Sequence, residues 1–103
     1  MAQTPEGKVK AEVKKILKEF NAYYFMPVQA GYGAPGLDFH CAAFGKAFFI
    51  ETKAPGKKMT PRQLTTARIM RERGGAVVFK IDGEKGLGEL REWLTTQQLQ
   101  NKV

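Results

Sequence analysis

The chain has 103 residues, of which 43% are hydrophobic and 26% charged, which predicts one folded domain over residues 1–103 and is too short for two. Its 17 lysines and arginines exceed its 10 acidic residues and give a formal net charge of +7, which favours a polyanionic partner such as nucleic acid or an acidic membrane surface. The single cysteine, Cys41, excludes an internal disulfide framework and any zinc site built from several thiolates.

The first predicted element is a helix that begins at Thr4 and Pro5 and runs to about Phe20. A threonine side chain can cap the free backbone amides, and proline is best tolerated in the first turn. The apolar residues recur at steps of three and four, and lysines occupy much of the remaining surface, which predicts one buried face. The apolar positions are Val9, Val13, Ile16, Leu17 and Phe20.

An aromatic-rich strand is predicted over residues 21–30, and Pro27 confines it to a sheet edge or interrupts it. Its aromatic side chains, Tyr23, Tyr24 and Phe25, could stack on nucleic-acid bases. At strand spacing such residues more often belong to the core, and we place them there.

A hairpin is predicted after the glycine-dense loop of residues 31–36. Its strands, residues 37–44 and 47–53, flank the dipeptide Gly45-Lys46. Glycine in the first central position suits a type II′ turn, so these two residues are expected to form the turn.

A second long helix is predicted to open at Thr60, Pro61 and Gln63, which match a capping box, and to end at Gly74 and Gly75. The capping box joins the threonine side chain to a glutamine three residues later. This pattern locates the start of the helix firmly.

The last elements are a β-branched strand over residues 76–81, a loop over 82–88 and a helix over 89–100. The helix should turn Leu90, Trp93 and Leu94 inward. The order α-β-β-β-α-β-α predicts a mixed α/β fold, a small sheet flanked by helices.

Polar residues gather on one face of the predicted hairpin, at its open end. With the predicted turn, the strand ladder sets His40 opposite Glu51 and Asp38 opposite Lys53, while the other face is apolar and belongs to the core. Two carboxylates and a lysine gathered there indicate a functional site. The alternative is a cross-strand salt bridge between Asp38 and Lys53 with the other two residues merely solvated. His40 by itself gives no metal-ligand spacing.

Two residues outside the hairpin each have two interpretations. Glu6 shares the apolar stripe of Val9 and Val13, so it either faces the site or only stabilises the helix N-terminus through the macrodipole. Gln63 lies one turn before Ala67 on an inward stripe, so it either completes the capping box alone or also points toward the site.

The combination of these residues resembles the PD-(D/E)XK nuclease superfamily, and more narrowly the stand-alone VRR-NUC domains of phages and bacteria. The resemblance covers most of the chain, from Thr4 to Ile81. It rests on Glu6 in the first helix, on GAPGLD with Asp38, on FFIETK with Glu51 and Lys53, and on TPRQ with Gln63.

The resemblance implies a restriction-endonuclease-like fold and a nuclease that uses Mg²⁺ or Mn²⁺. It also implies a homodimer that cuts branched DNA, such as four-way junctions or flaps, in the cytoplasm of a bacterium or a phage-infected host. The implied metal ligands are Glu6, Asp38, Glu51 and the backbone carbonyl of Thr52, and the implied catalytic residues are Asp38, Glu51, Lys53 and Gln63.

A strongly basic segment follows the predicted site. Between Lys53 and Arg73 there are seven basic residues and one acidic residue. Lys57, Lys58 and Arg62 are well placed to hold a nucleic-acid backbone, although a basic helix can also be simply solvated.

Three functions are compatible with these features. The first is a metal-dependent nuclease acting on DNA, and the second is a non-catalytic basic module that binds nucleic acid. The third is a basic domain that binds acidic membranes or proteins. It is the least favoured of the three, because the basic residues are not interleaved with exposed apolar anchors. No apolar run approaches the ~20 residues that span a bilayer, and no signal-peptide pattern precedes the first helix, which predicts a soluble cytoplasmic protein without a membrane partner.

Overall fold

The structure, a computed structural model, describes residues 3–27 and 37–101. The elements follow the predicted order: α1 (Pro5–Glu19), β1 (Tyr23–Phe25), β2 (Phe39–Ala43), β3 (Lys46–Thr52), α2 (Pro61–Gly74), β4 (Val77–Ile81) and α3 (Glu84–Gln100). The strands form a sheet in the order β1-β2-β3-β4, in which only the β3–β4 pair is parallel. The predicted mixed α/β fold is confirmed.

Helices α1 and α3 cover one face of the sheet and form the main core with it. The apolar stripe of α1 is buried as predicted, and α3 contributes Leu90 and Leu94, both fully buried. The Trp93 ring of α3 packs 5.0 Å from the ring of Phe48. The strands present Phe39, Cys41, Phe48 and Ile50 to this core, all buried. The apolar side of the hairpin was therefore predicted correctly.

Helix α2 lies on the other face of the sheet, where Glu51 points. Its capping box is complete, because Thr60 accepts a hydrogen bond from the Gln63 backbone and the Gln63 side chain accepts one from the Thr60 backbone. Gly75 ends it in the left-handed conformation, with φ of 61°. Ala67 is its one buried residue, so the capping interactions and the polar contacts described below matter for its placement.

The hairpin turn differs from the prediction by one position. The central residues are Phe44 and Gly45, with φ of 53° and 77°, rather than Gly45 and Lys46. Two positive φ values characterise a type I′ turn, whose twist suits a hairpin. The ring of Phe44 packs against the core. The register moves by two residues, so every side chain keeps its predicted face but meets a different partner.

Strand β1 is shorter and more exposed than predicted. It has three residues; residues 28–30 of the predicted strand and the predicted loop 31–36 lie outside the described residues. Tyr24 packs against the core with its ring 5.8 Å from that of Phe39. Tyr23 and Phe25 are 66% and 53% exposed, so placing them in the core was wrong. Alternate residues of a strand point to opposite faces, so Tyr23 and Phe25 lie on the face opposite to the core contact of Tyr24.

Helix α3 begins at Glu84, five residues earlier than predicted. Two glycines of the predicted loop, Gly86 and Gly88, lie inside the helix. A Cβ on Gly86 would come within 3.0 Å of the Ile81 Cα, so this glycine allows the helix to approach β4 closely. None of the helices in the described part of the chain is long and apolar enough to cross a membrane.

Candidate active site

The polar site lies at the open end of the β2–β3 hairpin, beside the N-terminal turns of α1 and α2. The observed register pairs Phe39 with Ile50, so its next step brings Asp38 opposite Glu51. The Asp38 backbone N–H donates to Glu51 Oε1 at 3.2 Å. The predicted pairing of Asp38 with Lys53 is therefore wrong, because the turn is one residue earlier. Both carboxylates nevertheless occupy the same end of the sheet.

Thr52 fixes the side chain of Asp38. Asp38 Oδ2 accepts hydrogen bonds from the Thr52 backbone N–H at 2.9 Å and from the Thr52 hydroxyl at 2.6 Å. Thr52 is fully buried, and the Asp38 side chain is 16% exposed. One carboxylate oxygen is thus anchored in the protein while the other, Oδ1, faces the site. The proposed ligand role of the Thr52 carbonyl stays a prediction.

Glu51 is the most deeply buried charged group of the site, with a side chain 3% exposed. Its Oε2 accepts a hydrogen bond from Gln63 Nε2 at 2.7 Å and lies 3.6 Å from Lys53 Nζ. Burial and then the like charge of Asp38 raise the pKa of Glu51 to about 7, against the smaller opposing effects of Lys53 and of the Asp38 N–H. Two adjacent carboxylates, one of them desolvated, form a site whose negative charge calls for a cation.

Gln63 serves both of the roles that its sequence position suggested. Its Oε1 accepts from the Thr60 backbone at 3.0 Å, completing the cap of α2, and its Nε2 donates to Glu51. The capping box therefore fixes the orientation of an amide that reaches into the site. This contact also ties the start of α2 to the end of β3.

Lys53 follows β3 directly and has a side chain only 14% exposed. Its backbone N–H donates to the Ile81 carbonyl at 2.9 Å, which anchors the residue at the sheet end. Its ammonium pairs with Glu51 rather than with Asp38, so the alternative of an Asp38–Lys53 salt bridge is not what forms.

His40 lies apart from these groups. It pairs with Phe49 across the hairpin, not with Glu51, and its ring lies edge-on to Phe49 at 5.2 Å and to Phe25 at 6.3 Å. Among the described residues its Nε2 is buried without a hydrogen-bond partner. The predicted pairing of His40 with Glu51 is wrong for the same reason as that of Asp38 with Lys53.

Lys10 joins the site although the sequence did not indicate it. Its Nζ lies 3.0 Å from Glu6 Oε2 and 4.0 Å from Asp38 Oδ1. Burial opposes its charge, but the hydrogen bond to Glu6 and the attraction of Asp38, Glu6 and Glu51 together raise its pKa above 10.5. The four-residue spacing of Glu6 and Lys10 predicts their ion pair on the helix. The contact with Asp38 depends on how α1 packs against the sheet.

Glu6 stands on the edge of the site, with a side chain 39% exposed. Its carboxylate reaches the ammonium of Lys10, which lies between it and Asp38. In the described part of the chain, no three acidic, histidine or cysteine side chains come close enough together to hold a metal. Two of the predicted carboxylate ligands, Asp38 and Glu51, therefore meet, whereas Glu6 does not join them.

The predicted nucleic-acid-binding residues lie beside the site. Lys57, Lys58 and Arg62 are exposed in the segment that leads from β3 into the first turn of α2. This segment is tied to the end of β4, because the Gly56 N–H donates to Asp82 Oδ2 at 3.2 Å. The basic residues are therefore presented next to Lys53 on an anchored turn.

The donor set fits a hard divalent cation such as Mg²⁺. Such ions take oxygen ligands, of which Asp38 Oδ1 and the Glu51 carboxylate are available at one end of the sheet. Burial and the like charge of Asp38 both disfavour the negative charge of Glu51 and raise its pKa. A cation beside both carboxylates would compensate this charge.

Comparison with known proteins agrees with this architecture. A solved structure described as "VRR_NUC domain" is similar, with a TM-score of 0.75 and 25% sequence identity over 87% of this chain and 97% of that chain. No protein-family model and no curated protein matches the sequence. The resemblance to VRR-NUC domains that the sequence motifs predicted is confirmed.

Proposed function

We propose that this chain, which has the fold of a VRR-NUC domain, is a metal-dependent nuclease that hydrolyses phosphodiester bonds in DNA. The observation that carries the proposal is the meeting of Asp38 and Glu51, with Lys53 beside them, at one end of the sheet. The similar solved structure supports a nuclease domain independently of the site.

The site residues have two roles: some would bind the cation, and others orient the carboxylates that bind it. Asp38 and Glu51 would bind Mg²⁺ or Mn²⁺, which when bound lowers the pKa of a coordinated water and neutralises charge on the phosphate. Thr52 fixes Asp38 by two hydrogen bonds and Gln63 fixes Glu51 by one, which reduces the reorganisation that cation binding requires.

Lys53 supplies positive charge at the reacting phosphate. Its ammonium is largely shielded from water and lies beside Glu51. It can therefore contact an oxygen of a phosphate that is bound at this end of the sheet. In a partly desolvated site such a contact stabilises the charge that develops during hydrolysis. The neighbouring Lys57, Lys58 and Arg62 would hold the backbone of the nucleic acid next to it.

A branched substrate and a homodimer belong to the same proposal, and their support is the resemblance alone. A four-way junction or flap would be cut in preference to linear duplex. Sedimentation of the free protein tests the dimer.

Cleavage assays on a panel of labelled DNAs test the proposal. Single strand, duplex, flap and four-way junction are each incubated with Mg²⁺, with Mn²⁺ and with chelator. We expect metal-dependent cleavage that is lost in Asp38→Ala and Glu51→Ala, while DNA binding persists because phosphate contacts supply most of the affinity. Glu92→Gln, an exposed carboxylate of α3, is the matched control and should cut normally.

The second candidate is a non-catalytic nucleic-acid-binding module. It is favoured by the separation of Glu6 from the other two carboxylates, which leaves the predicted three-carboxylate set incomplete among the described residues. Binding without cleavage of any substrate in the panel, with either metal, would establish it over the nuclease.

A further inference from the structure

We propose that Lys10 is a positioning residue that substitutes for the cation in the metal-free site. Its ammonium bridges Glu6 and Asp38, and it must move away before Glu6 can join Asp38 and Glu51 around a divalent ion. The inference rests on the proposed metal dependence.

The position of the ammonium distinguishes Lys10 from an ordinary surface lysine. It contacts one carboxylate on its own helix, Glu6 at 3.0 Å, and approaches a second just before β2, Asp38 at 4.0 Å. Its side chain is 30% exposed. An isolated ion pair at four-residue spacing links residues of a single helix, whereas this one also reaches across to the sheet.

The charges around the site explain why a cation is needed there even without metal. Glu6, Asp38 and Glu51 all attract the Lys10 ammonium, and Lys53 brings a second positive charge close to Glu51. Carboxylates gathered without a cation repel one another. Lys10 relieves part of this repulsion in the metal-free protein.

The same position puts Lys10 in competition with a divalent ion. A dication beside Asp38 would repel the ammonium and attract the carboxylate of Glu6, which Lys10 now occupies. Because the side chain of lysine is long and flexible, the ammonium can swing toward solvent or toward a bound phosphate. Metal binding and release of Glu6 from Lys10 are therefore linked.

The test compares Lys10→Met with Lys14→Met. Methionine removes the charge and keeps an unbranched side chain, and Lys14 is an exposed lysine one turn further along the same helix. Thermal unfolding is measured in chelator, and Mn²⁺ binding is measured by electron paramagnetic resonance without nucleic acid. We expect Lys10→Met to lower the Tm of the metal-free protein and to tighten Mn²⁺ binding at least about fivefold, within the usual range of linked binding effects. Lys14→Met should change both much less.

The same comparison in a Glu6→Gln protein shows whether Lys10 competes with the metal for Glu6 or only repels the metal by its charge. In Glu6→Gln, the tightening caused by Lys10→Met should disappear, because the ligand that Lys10 releases is no longer ionised. A gain that persists in this background overturns the inference, since Lys10 would then act by its charge alone. Should Lys10→Met not fold, Lys10→Gln also removes the positive charge that holds Glu6 and carries the same expectation.

The possible failures are distinguishable. If the wild-type protein binds Mn²⁺ and Lys10→Met binds it no more tightly, the inference fails while the proposed nuclease stands. If the wild-type protein binds no Mn²⁺ at all, the proposed metal dependence fails, and the inference fails with it.

Discussion

Glu51 shows at the scale of one residue how burial shapes the site. It is an acidic side chain among groups that exclude water, and it keeps its place through Gln63 and the Asp38 backbone. Burying its negative charge is unfavourable, and this raises the pKa of Glu51 to about 7. The protein thus maintains a carboxylate that it stabilises poorly by itself, as is common where a site awaits a charged ligand.

The stability of the metal-free protein should therefore depend on pH through Glu51. The pKa of this carboxyl is 4.5 in the unfolded chain and is raised to about 7 in the folded protein. The contribution of Glu51 to stability is greatest below pH 4.5 and falls by about 3 kcal/mol as the pH rises to about 7. Above 7 the loss is complete and constant.

Urea denaturation in chelator at pH 5, 6, 7 and 8 measures this loss. Glu51→Gln should flatten the profile relative to the wild-type protein, whereas the exposed Glu92→Gln should reproduce the wild-type slope. Parallel profiles for Glu51→Gln and wild type would contradict the assignment of the shift to Glu51.

Thr52 provides a second prediction, because its hydroxyl is bonded to a carboxylate in a fully buried position. Thr52→Val removes that donor with little change of shape, and a hydrogen bond to a charged group contributes about 1.5–3 kcal/mol. We expect a loss of stability of that size and slower cleavage, since Asp38 Oδ2 then keeps the Thr52 backbone bond without the hydroxyl. The matched control is Thr95→Val on α3, whose exposed hydroxyl donates to a carbonyl of its own helix.

Denaturant midpoints and cleavage rates of both threonine variants are the measurements. Wild-type values for Thr52→Val would mean that the backbone N–H alone fixes Asp38.

At the scale of elements, the contact of α3 with β4 depends on one glycine. Gly86 is buried, and a Cβ there would lie 3.0 Å from the backbone of Ile81 and 3.2 Å from its side chain. A Cβ added to Gly88, about half a turn further along the helix, would have no described neighbour within 4 Å. The same substitution on one helix thus meets two different environments.

Alanine at these two positions should have opposite effects. Gly86→Ala forces the helix away from β4 and should destabilise by roughly 1–3 kcal/mol, the usual effect of overpacking. Gly88→Ala should stabilise by about 0.5–1 kcal/mol, because alanine favours the helix and constrains the unfolded chain. Thermal or urea unfolding measures the stability of both variants. Stabilisation by both substitutions would disprove the close approach of α3 to β4 at Gly86.

At the scale of the whole molecule, the distribution of charge matters more than its total. Most of the excess over neutrality arises between Lys53 and Arg73, directly after the carboxylate pair. If the proposed nuclease function holds, this cationic surface would attract a polyanion toward Asp38 and Glu51.

The basic segment should accordingly control the salt dependence of DNA binding. Replacing Lys57, Lys58 and Arg62 together by alanine should weaken binding regardless of base sequence, and reduce the slope of log affinity against log salt by about 0.9 for each duplex phosphate that the variant no longer neutralises. Binding is measured in chelator, so that cleavage does not interfere. Lys85→Ala on α3 is the control. An unchanged slope in the triple variant would mean that the DNA follows another surface.

The sequence by itself determined the order of the elements and the starts of two helices, because these signals are local. The capping threonines and proline positions located the starts of α1 and α2, and the apolar periodicity identified the buried faces of α1 and α3. Alternation along the hairpin placed Asp38 and Glu51 on one face, and this survived the error in the turn because a shift of two residues preserves every face.

Only the tertiary structure decided which groups meet. Asp38 faces Glu51 rather than Lys53 because the turn is centred on Phe44 and Gly45, which sets the register of the two strands. Gln63 reaches Glu51, and Lys10 reaches Asp38, because α2 and α1 pack beside this end of the sheet. Local sequence signals fix dihedral angles and faces, whereas a contact of 3–4 Å across elements depends on how whole helices pack on the sheet.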